Sequence, residues 1–304
     1  MGVSDNGTTA NQEAMAVSAP EAAAALKQPQ SSGNLAQRSA EGGPYTLAVD
    51  IGGTGIKVEV LNGGGESVTE RAKLPTPHPA TPDSVIAIIE ELAKSQGEFD
   101  RVSAGFPGVV KKGVTLTAFN LGPEFEGFNL ARVLRERLKR PARVANDADI
   151  QGLGAIRGRG LEMVITLGTG FGSALFIDGH LVPNLQLGHH LARKNDTYED
   201  LLGRAALEKA GKKKWNRRLE RAIAELAATF NFDRLYIGGG NAKFIHIQLP
   251  PNVKIVSNEA GLLGGIALWR DPELVMPKAA GKKTIRSRPA SIINEEEPTL
   301  EKPR

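Results

Sequence analysis

The segment VDIGGTGIK sets a carboxylate, Asp50, at the end of an apolar run, follows it with Gly52, Gly53, Thr54 and Gly55, and ends on Lys57. Glycines clustered between two strands let backbone N–H groups approach an anion closely, and a carboxylate beside them can hold Mg²⁺ through water. An ordinary hairpin turn that needs positive φ would look the same. The design recurs at Gly168, Thr169, Gly170, Phe171 and Gly172, again between two apolar runs. Two such loops in equivalent places point to phosphate binding rather than to turns alone. Neither is a P-loop, because GxxxxGKS or GxxxxGKT is absent, and neither opens a helix as a dinucleotide fingerprint does.

Asn146, Asp147, Ala148 and Asp149 follow the apolar run ARVA and precede a helical stretch. Phosphoryl transfer needs a placed acceptor hydroxyl and a carboxylate to receive its proton, and Asp147 is the candidate base. Asn146 or Asp147 would equally cap the helix, and the two roles are compatible. A third cluster runs from Asn184 through Gln186, His189 and His190, with Glu199 nine residues beyond His190. Amides, imidazole and carboxylate together offer the alternating donors and acceptors that sugar hydroxyls require. Zinc is the weaker reading, since adjacent histidines on a strand point apart and no third strong ligand has useful spacing.

The elements that would position these groups read as strands and helices in alternation. YTLAVD and IKVEVL form a hairpin around the first glycine loop, and SVTERAKL extends it into a meander. DSVIAIIEELAKS has helical spacing, with Asp83 placed to cap it. RVSAGF reads as a buried strand, VVKKGVTLTAFN as a second hairpin, FNLARVLRERLK as a helix and ARVA as a strand. MVITLG and SALFID pair around the second glycine loop. Two helical stretches, YEDLLGRAALEKA and KKWNRRLERAIAELAATF, lead to the strand RLYIGG, the turn GGGN and a last helix, EAGLLGGIALW. A glycine-turned hairpin opens each half and helices close it, which predicts two similar α/β lobes with a ligand cleft between them. The expected lobes are residues 44–150 and 151–272, with the last helix, 259–269, returning to the first lobe.

Residues 1–43 and 273–304 are polar and without apolar period, so both are expected to be disordered tails. The chain has 304 residues, 40% of them hydrophobic, enough for a real core, and no cysteine, which excludes disulfides, thiolate nucleophiles and Cys-ligated zinc. No run is long enough to span a membrane and no signal peptide opens the chain, so a cytoplasmic protein without membrane contact is expected. The net charge is +4, yet Arg204 to Arg221 alone carries eight basic groups against two acidic ones. Such a run is usually a solvated helix face. Lys212, Lys213, Lys214, Arg217 and Arg218 within it are also a candidate track for a polyanion.

As an ordered set, DIGGTGIK, FPGVV, NDAD, LGTGFGSAL, GHH, TYEDLLG and GGGN resemble the ROK sugar kinases and, within them, the polyphosphate-using glucokinases, from about Thr46 to Trp269. The resemblance implies a duplicated ribonuclease-H-like fold of the actin-like ATPase class. It implies phosphorylation of glucose at the 6-hydroxyl, with Asp147 as base, Asn120, Asn146, Gln186, His189 and Glu199 on the sugar, and Gly52–Gly55 and Gly168–Gly172 on the donor's phosphates. Polyphosphate is the expected donor and ATP the alternative, with Mg²⁺ as cofactor and a homodimer as a possible assembly. Gln186 stands where the family has Glu, removing a charge-assisted hydrogen bond to a sugar hydroxyl. A sugar-binding protein without turnover is therefore the rival reading. The cysteine-rich zinc loop of many members is replaced by ARKNDTY, as in the polyphosphate-using subgroup. A DNA-reading regulator of the same family would carry a helix-turn-helix before the first loop, and residues 1–43 show no apolar helical period, so nucleic acid is not an expected partner.

Overall fold

The computed structural model describes residues 43–118, 121–257 and 260–270. The predicted tails and Asn120 lie outside the described residues, residue 43 apart. The chain opens with a meander, β1 (Thr46–Ile51), β2 (Gly55–Leu61) and β3 (Ala72–Pro75), followed by helix α1 (Pro82–Ser95) and strand β4 (Arg101–Phe106). A short hairpin, β5 (Val110–Lys111) and β6 (Val114–Thr115), leads to α2 (Leu130–Leu138) and β7 (Ala142–Asn146). Helix α3 (Asp147–Ala155) crosses to the second lobe. There β8 (Leu161–Leu167), β9 (Phe171–Ile177) and β10 (His180–Val182) repeat the meander. After β11 (Leu191–Arg193) and β12 (Asp196–Thr197) come α4 (Tyr198–Leu202) and α5 (Arg204–Phe230), then β13 (Arg234–Gly238), β14 (Val253–Ile255) and α6 (Ala260–Ala267).

The two large sheets have the same topology. The first runs β3-β2-β1-β4-β7 and the second β10-β9-β8-β13-β14. In each the first three strands are antiparallel, and the next two join parallel to the first. The central strands are apolar on both faces because helices cover both sides, as in β1, TLAVDI. Helix α1 buries Val85, Ile86, Ile89 and Leu92 on one stripe against the first sheet. Its cap is Thr81, which accepts from the Ser84 amide, and not Asp83, which lies in the first turn. Proline at the first helical position lets the threonine one residue earlier take the capping geometry.

Helices α3 and α6 lie between the sheets and against each other. Phe176 and Val164 of the second sheet pack with Leu153 and Ala155 of α3, while Ile266 of α6 packs with Ala48 and Leu61 of the first sheet. Gly264 permits the close crossing, since a Cβ there would strike the Ile150 carbonyl. Helix α6 is also tied to the first lobe by polar contacts. Ser103 Oγ donates to the Gly265 carbonyl at 2.6 Å, Trp269 Nε1 donates to Ser103 Oγ, and Arg143 lies 4.4 Å over the Trp269 ring. The long basic stretch is divided at Gly211, whose φ of 74° interrupts α5 between Ala210 and Lys212. No helix of the described residues is long and apolar enough to cross a membrane.

Candidate active site between the lobes

Asp147 is the first residue of α3, directly after β7, the edge strand that runs parallel to β4. Ligands of open α/β sheets gather at these carboxyl ends. Asn146 is the N-cap and is buried. Its Oδ1 accepts from the Ala148 and Asp149 amides at 2.9 and 3.2 Å, and its Nδ2 donates to the Gly108 carbonyl and to Asp147. The Asn146 amide, expected on the sugar, is thus engaged inside the protein and braces Asp147. It also fixes the FPG turn.

Asp147 keeps exposed surface, while protein groups crowd around its carboxyl. That crowding, and next the Asp50 carboxylate, raise its pKa to about 6, against the lowering effect of the Ala148 amide, which donates to Oδ1 at 2.8 Å. A carboxyl poised there is a competent base near neutrality. Asp50 itself is paired with Lys57, Nζ to Oδ2 at 2.7 Å. Lys57, expected on phosphate, therefore also holds Asp50 in place.

Neither glycine loop is a positive-φ turn. Among the described residues, Gly52, Gly53, Gly55, Gly168, Gly170 and Gly172 all keep ordinary φ, so a need for positive φ does not explain them. Each loop closes on itself by one amide, Gly52 to the Gly55 carbonyl and Gly168 to the Gly170 carbonyl, both at 3.1 Å. The amides of Gly53 and Thr54, and of Thr169 and Gly170, take no acceptor among the described residues. Those free N–H groups are what an anion requires. At Gly172 a Cβ would lie 2.9 Å from Ala148 Cβ, so the second loop ends against the residue after Asp147.

The third cluster joins the same place. Ser173 Oγ donates to the Leu185 carbonyl at 2.7 Å and accepts from the Leu187 amide, which anchors the backbone on either side of Gln186. The Gln186 side chain makes no hydrogen bond among the described residues. His189 is exposed at the end of the same turn. Glu199, in the first turn of α4, accepts from the Phe171 amide at 3.1 Å and touches Gly170. It therefore stands between the second loop and the sugar-binding candidates.

Five residues make contacts here that the sequence did not show. Asn184, at φ 63°, gives its amide to Asp149 and accepts from the Val110 amide at 2.9 Å, linking α3, the Gln186 loop and the first lobe. Asp149 is buried with one oxygen unpartnered, and burial raises its pKa to about 7, opposed by the Asn184 amide and reinforced by Asp147. Asn241, fully buried, donates to the Gly168 carbonyl at 2.8 Å, and Gly239, at φ 88°, lets that turn press on Leu167. Thr76 Oγ1 donates to the Gly52 carbonyl. The GGGN motif was legible, but its contact with a loop some 70 positions earlier was not.

The proposed polyanion track divides. Lys214, Arg217 and Arg218 line one cavity, whereas Lys212 stands 4.9 Å over the Phe244 ring and lines no part of that cavity. The cause is helical period: positions 214, 217 and 218 share a stripe that 212 leaves. Lys213 is exposed.

Two equivalent sheets, a glycine loop at each and interlobe helices between them define the duplicated ribonuclease-H-like fold of the actin-like ATPase sugar kinases. Residues 46–198 match the profile of the ROK family, and the chain belongs to that family. The polyphosphate glucokinase of Mycobacterium tuberculosis (strain CDC 1551 / Oshkosh) is 30% identical over 240 residues, covering 72% of this chain and 89% of that one. The solved inorganic polyphosphate/ATP-glucomannokinase from Arthrobacter sp. strain KM is 32% identical, with a TM-score of 0.68 over 75% of this chain and all of that one. A ROK family glucokinase from Streptomyces griseus, solved with glucose and AMPPNP, shares the fold at 20% identity, with a TM-score of 0.63 over 74% of this chain and 99% of that one.

Proposed function

We propose that this protein transfers a phosphoryl group from inorganic polyphosphate to the 6-hydroxyl of glucose. The observation that carries the reading is the convergence at α3. Asp147, with its raised pKa, shares a space with Asp50, and the second glycine loop ends against the next residue. Asp147 takes the proton of the sugar hydroxyl as that oxygen attacks the terminal phosphorus, and the bond from that phosphorus to the rest of the donor breaks. The free amides of Gly53, Thr54, Thr169 and Gly170 hold donor oxygens, while Gln186, His189 and Glu199, with Asn120, hold the sugar.

Mg²⁺ fits as a water-rich ion. Among the described residues no three His, Asp or Glu side chains cluster as a metal cage, and Asp50 keeps one oxygen free of Lys57. Mg²⁺ bound by one carboxylate, waters and donor phosphates is consistent with that set, and it would neutralise donor charge. The similarity to an enzyme named for both polyphosphate and ATP, and for glucose and mannose, favours a second reading in which donor and sugar are both broader.

The test supplies purified protein with Mg²⁺ and glucose or mannose, and either polyphosphate or ATP, and follows the hexose 6-phosphate. Product with polyphosphate supports the first reading, and product with ATP alone replaces the donor. No product from either donor with several hexoses leaves a sugar-binding protein without turnover.

A further inference from the structure

A second concave site lies behind α4. Its cavity, of about 330 Å³, is lined by Arg193 of β11, Tyr198 and Leu201 of α4, and one stripe of α5. Lys214, Arg218 and Arg221 lie four and three residues apart along that stripe, and Arg217, three after Lys214, stands beside it, so their charges fall on neighbouring turns. With Arg193 they make five cations around one hollow. The acidic residue of the lining is Glu225, which accepts a hydrogen bond from the Tyr198 hydroxyl. Among the described residues none of the five cations has a carboxylate within ion-pair distance. Arg218 Nε is buried without an acceptor, while its Nη1 holds the Leu201 carbonyl at 3.2 Å. Arg193, Lys214, Arg217 and Arg221 stay exposed around the rim, while the more enclosed Arg218 leaves a donor unmet, which an ordinary solvated helix face does not.

The groove adjoins the donor loop. The Tyr198 ring packs on Phe171 of the second glycine loop, with centroids 5.4 Å apart, and the α5 amide of Arg204 donates to the Thr169 carbonyl at 3.1 Å. The short helix α4 is a wall shared by both. A ligand for the groove must present negative charge repeatedly along its length, and nothing in the lining offers a base-sized aromatic slot.

We propose that this groove is an exosite for inorganic polyphosphate, holding a distal stretch of the chain whose end lies in the glycine loops. The proposal rests on the polyphosphate reading above and adds Arg193 and Arg221 to it. Its consequence is chain-length selectivity. A long donor engages loops and groove at once, and a short donor reaches the loops alone, so the groove contributes by effective concentration.

The test compares the full chain with an Arg193→Glu/Arg221→Glu double variant, and with Arg193→Ala/Arg221→Ala should the first not fold. Long-chain polyphosphate, tripolyphosphate and single-stranded RNA are titrated at several salt concentrations, and steady-state constants are measured with glucose. Expected is a loss of about tenfold or more in long-chain affinity, a matching rise in its KM, a shallower salt dependence, and unchanged constants for tripolyphosphate and ATP. Unchanged long-chain affinity in both variants, or RNA bound by the wild type as tightly as polyphosphate, overturns the exosite. Long-chain binding that depends on the groove without any product from that donor supports the exosite and refutes the donor reading. Turnover of long chains with an unaltered KM does the reverse.

Discussion

The two lobes share one sheet order but use their glycine loops differently. The first loop is bounded by charges, Asp50 and Lys57, paired at 2.7 Å. The second has no charged residue of its own and is stiffened from outside, by Glu199 on the Phe171 amide and by Asn241 on the Gly168 carbonyl. Duplicated topology therefore repeats the backbone setting, with free amides at the tip of each hairpin, while the side chains divide the labour. One lobe sets a charged pair beside its loop, and the other holds an uncharged loop braced by residues from elsewhere in the chain. Asp147 stands where the two meet.

The sharpest way to break this division is to remove the group between the lobes. Asp147→Asn is expected to lower kcat by about 10²–10⁴-fold while glucose still binds, measured by turnover and by calorimetry. Near-wild-type turnover would refute the base assignment. The pH profile makes the same point more gently. Asp147 accepts a proton only when ionised, so with a pKa of about 6 activity should fall on acidification through that value, by about tenfold per unit below it. A profile flat down to pH 5 would contradict it.

The glycines of the second loop separate seat from scaffold. Gly172→Ala drives a methyl into Thr166 and Ala148, and should cost about 1–3 kcal/mol in thermal unfolding. Gly168→Ala meets nothing within 4 Å, so it should leave Tm unchanged while raising the KM for donor. Equal losses of stability in the two variants would remove the distinction. The braces should differ too. Asn241→Leu leaves the half-buried Gly168 carbonyl unpaired and is expected to cost about 1–3 kcal/mol, against about 1 for Thr76→Val in the first lobe.

The last effect concerns the pH dependence contributed by Asp149. Folded, its carboxyl holds the proton to about pH 7, whereas an unfolded aspartate releases it near about 4. Between these values the folded form binds more protons, so this residue's contribution to stability declines as pH rises through the window. Asp149→Asn should flatten the pH dependence of Tm there. An unaltered slope would show that Asp149 does not titrate in this range.

Much of the fold was legible because its signals are local. The hairpins around both glycine loops, the stripe of α1 and the strand ending at Asn146 depend on apolar period and turn residues within one stretch of chain. The position of Asp147 at a strand end was legible because its motif is contiguous. Local pattern failed where one residue must choose between nearby partners, as when Thr81 rather than Asp83 capped α1, and it did not show the bond from the Asn146 amide to the Gly108 carbonyl. The basic run was visible as composition, but which of its members share a face was settled by the helical period and by the break at Gly211.

By itself the sequence determined two equivalent strand-turn-strand units and a carboxylate at a strand end, since those follow from which residues neighbour one another along the chain. Only the tertiary structure decided that Asp50 lies near enough to Asp147 to raise its pKa, that Asn241 seats Gly168, and that five cations from α5 and β11 surround one hollow. These depend on contacts between residues far apart in the chain. Packing of sheets and helices creates them, and no local pattern encodes a distance between elements.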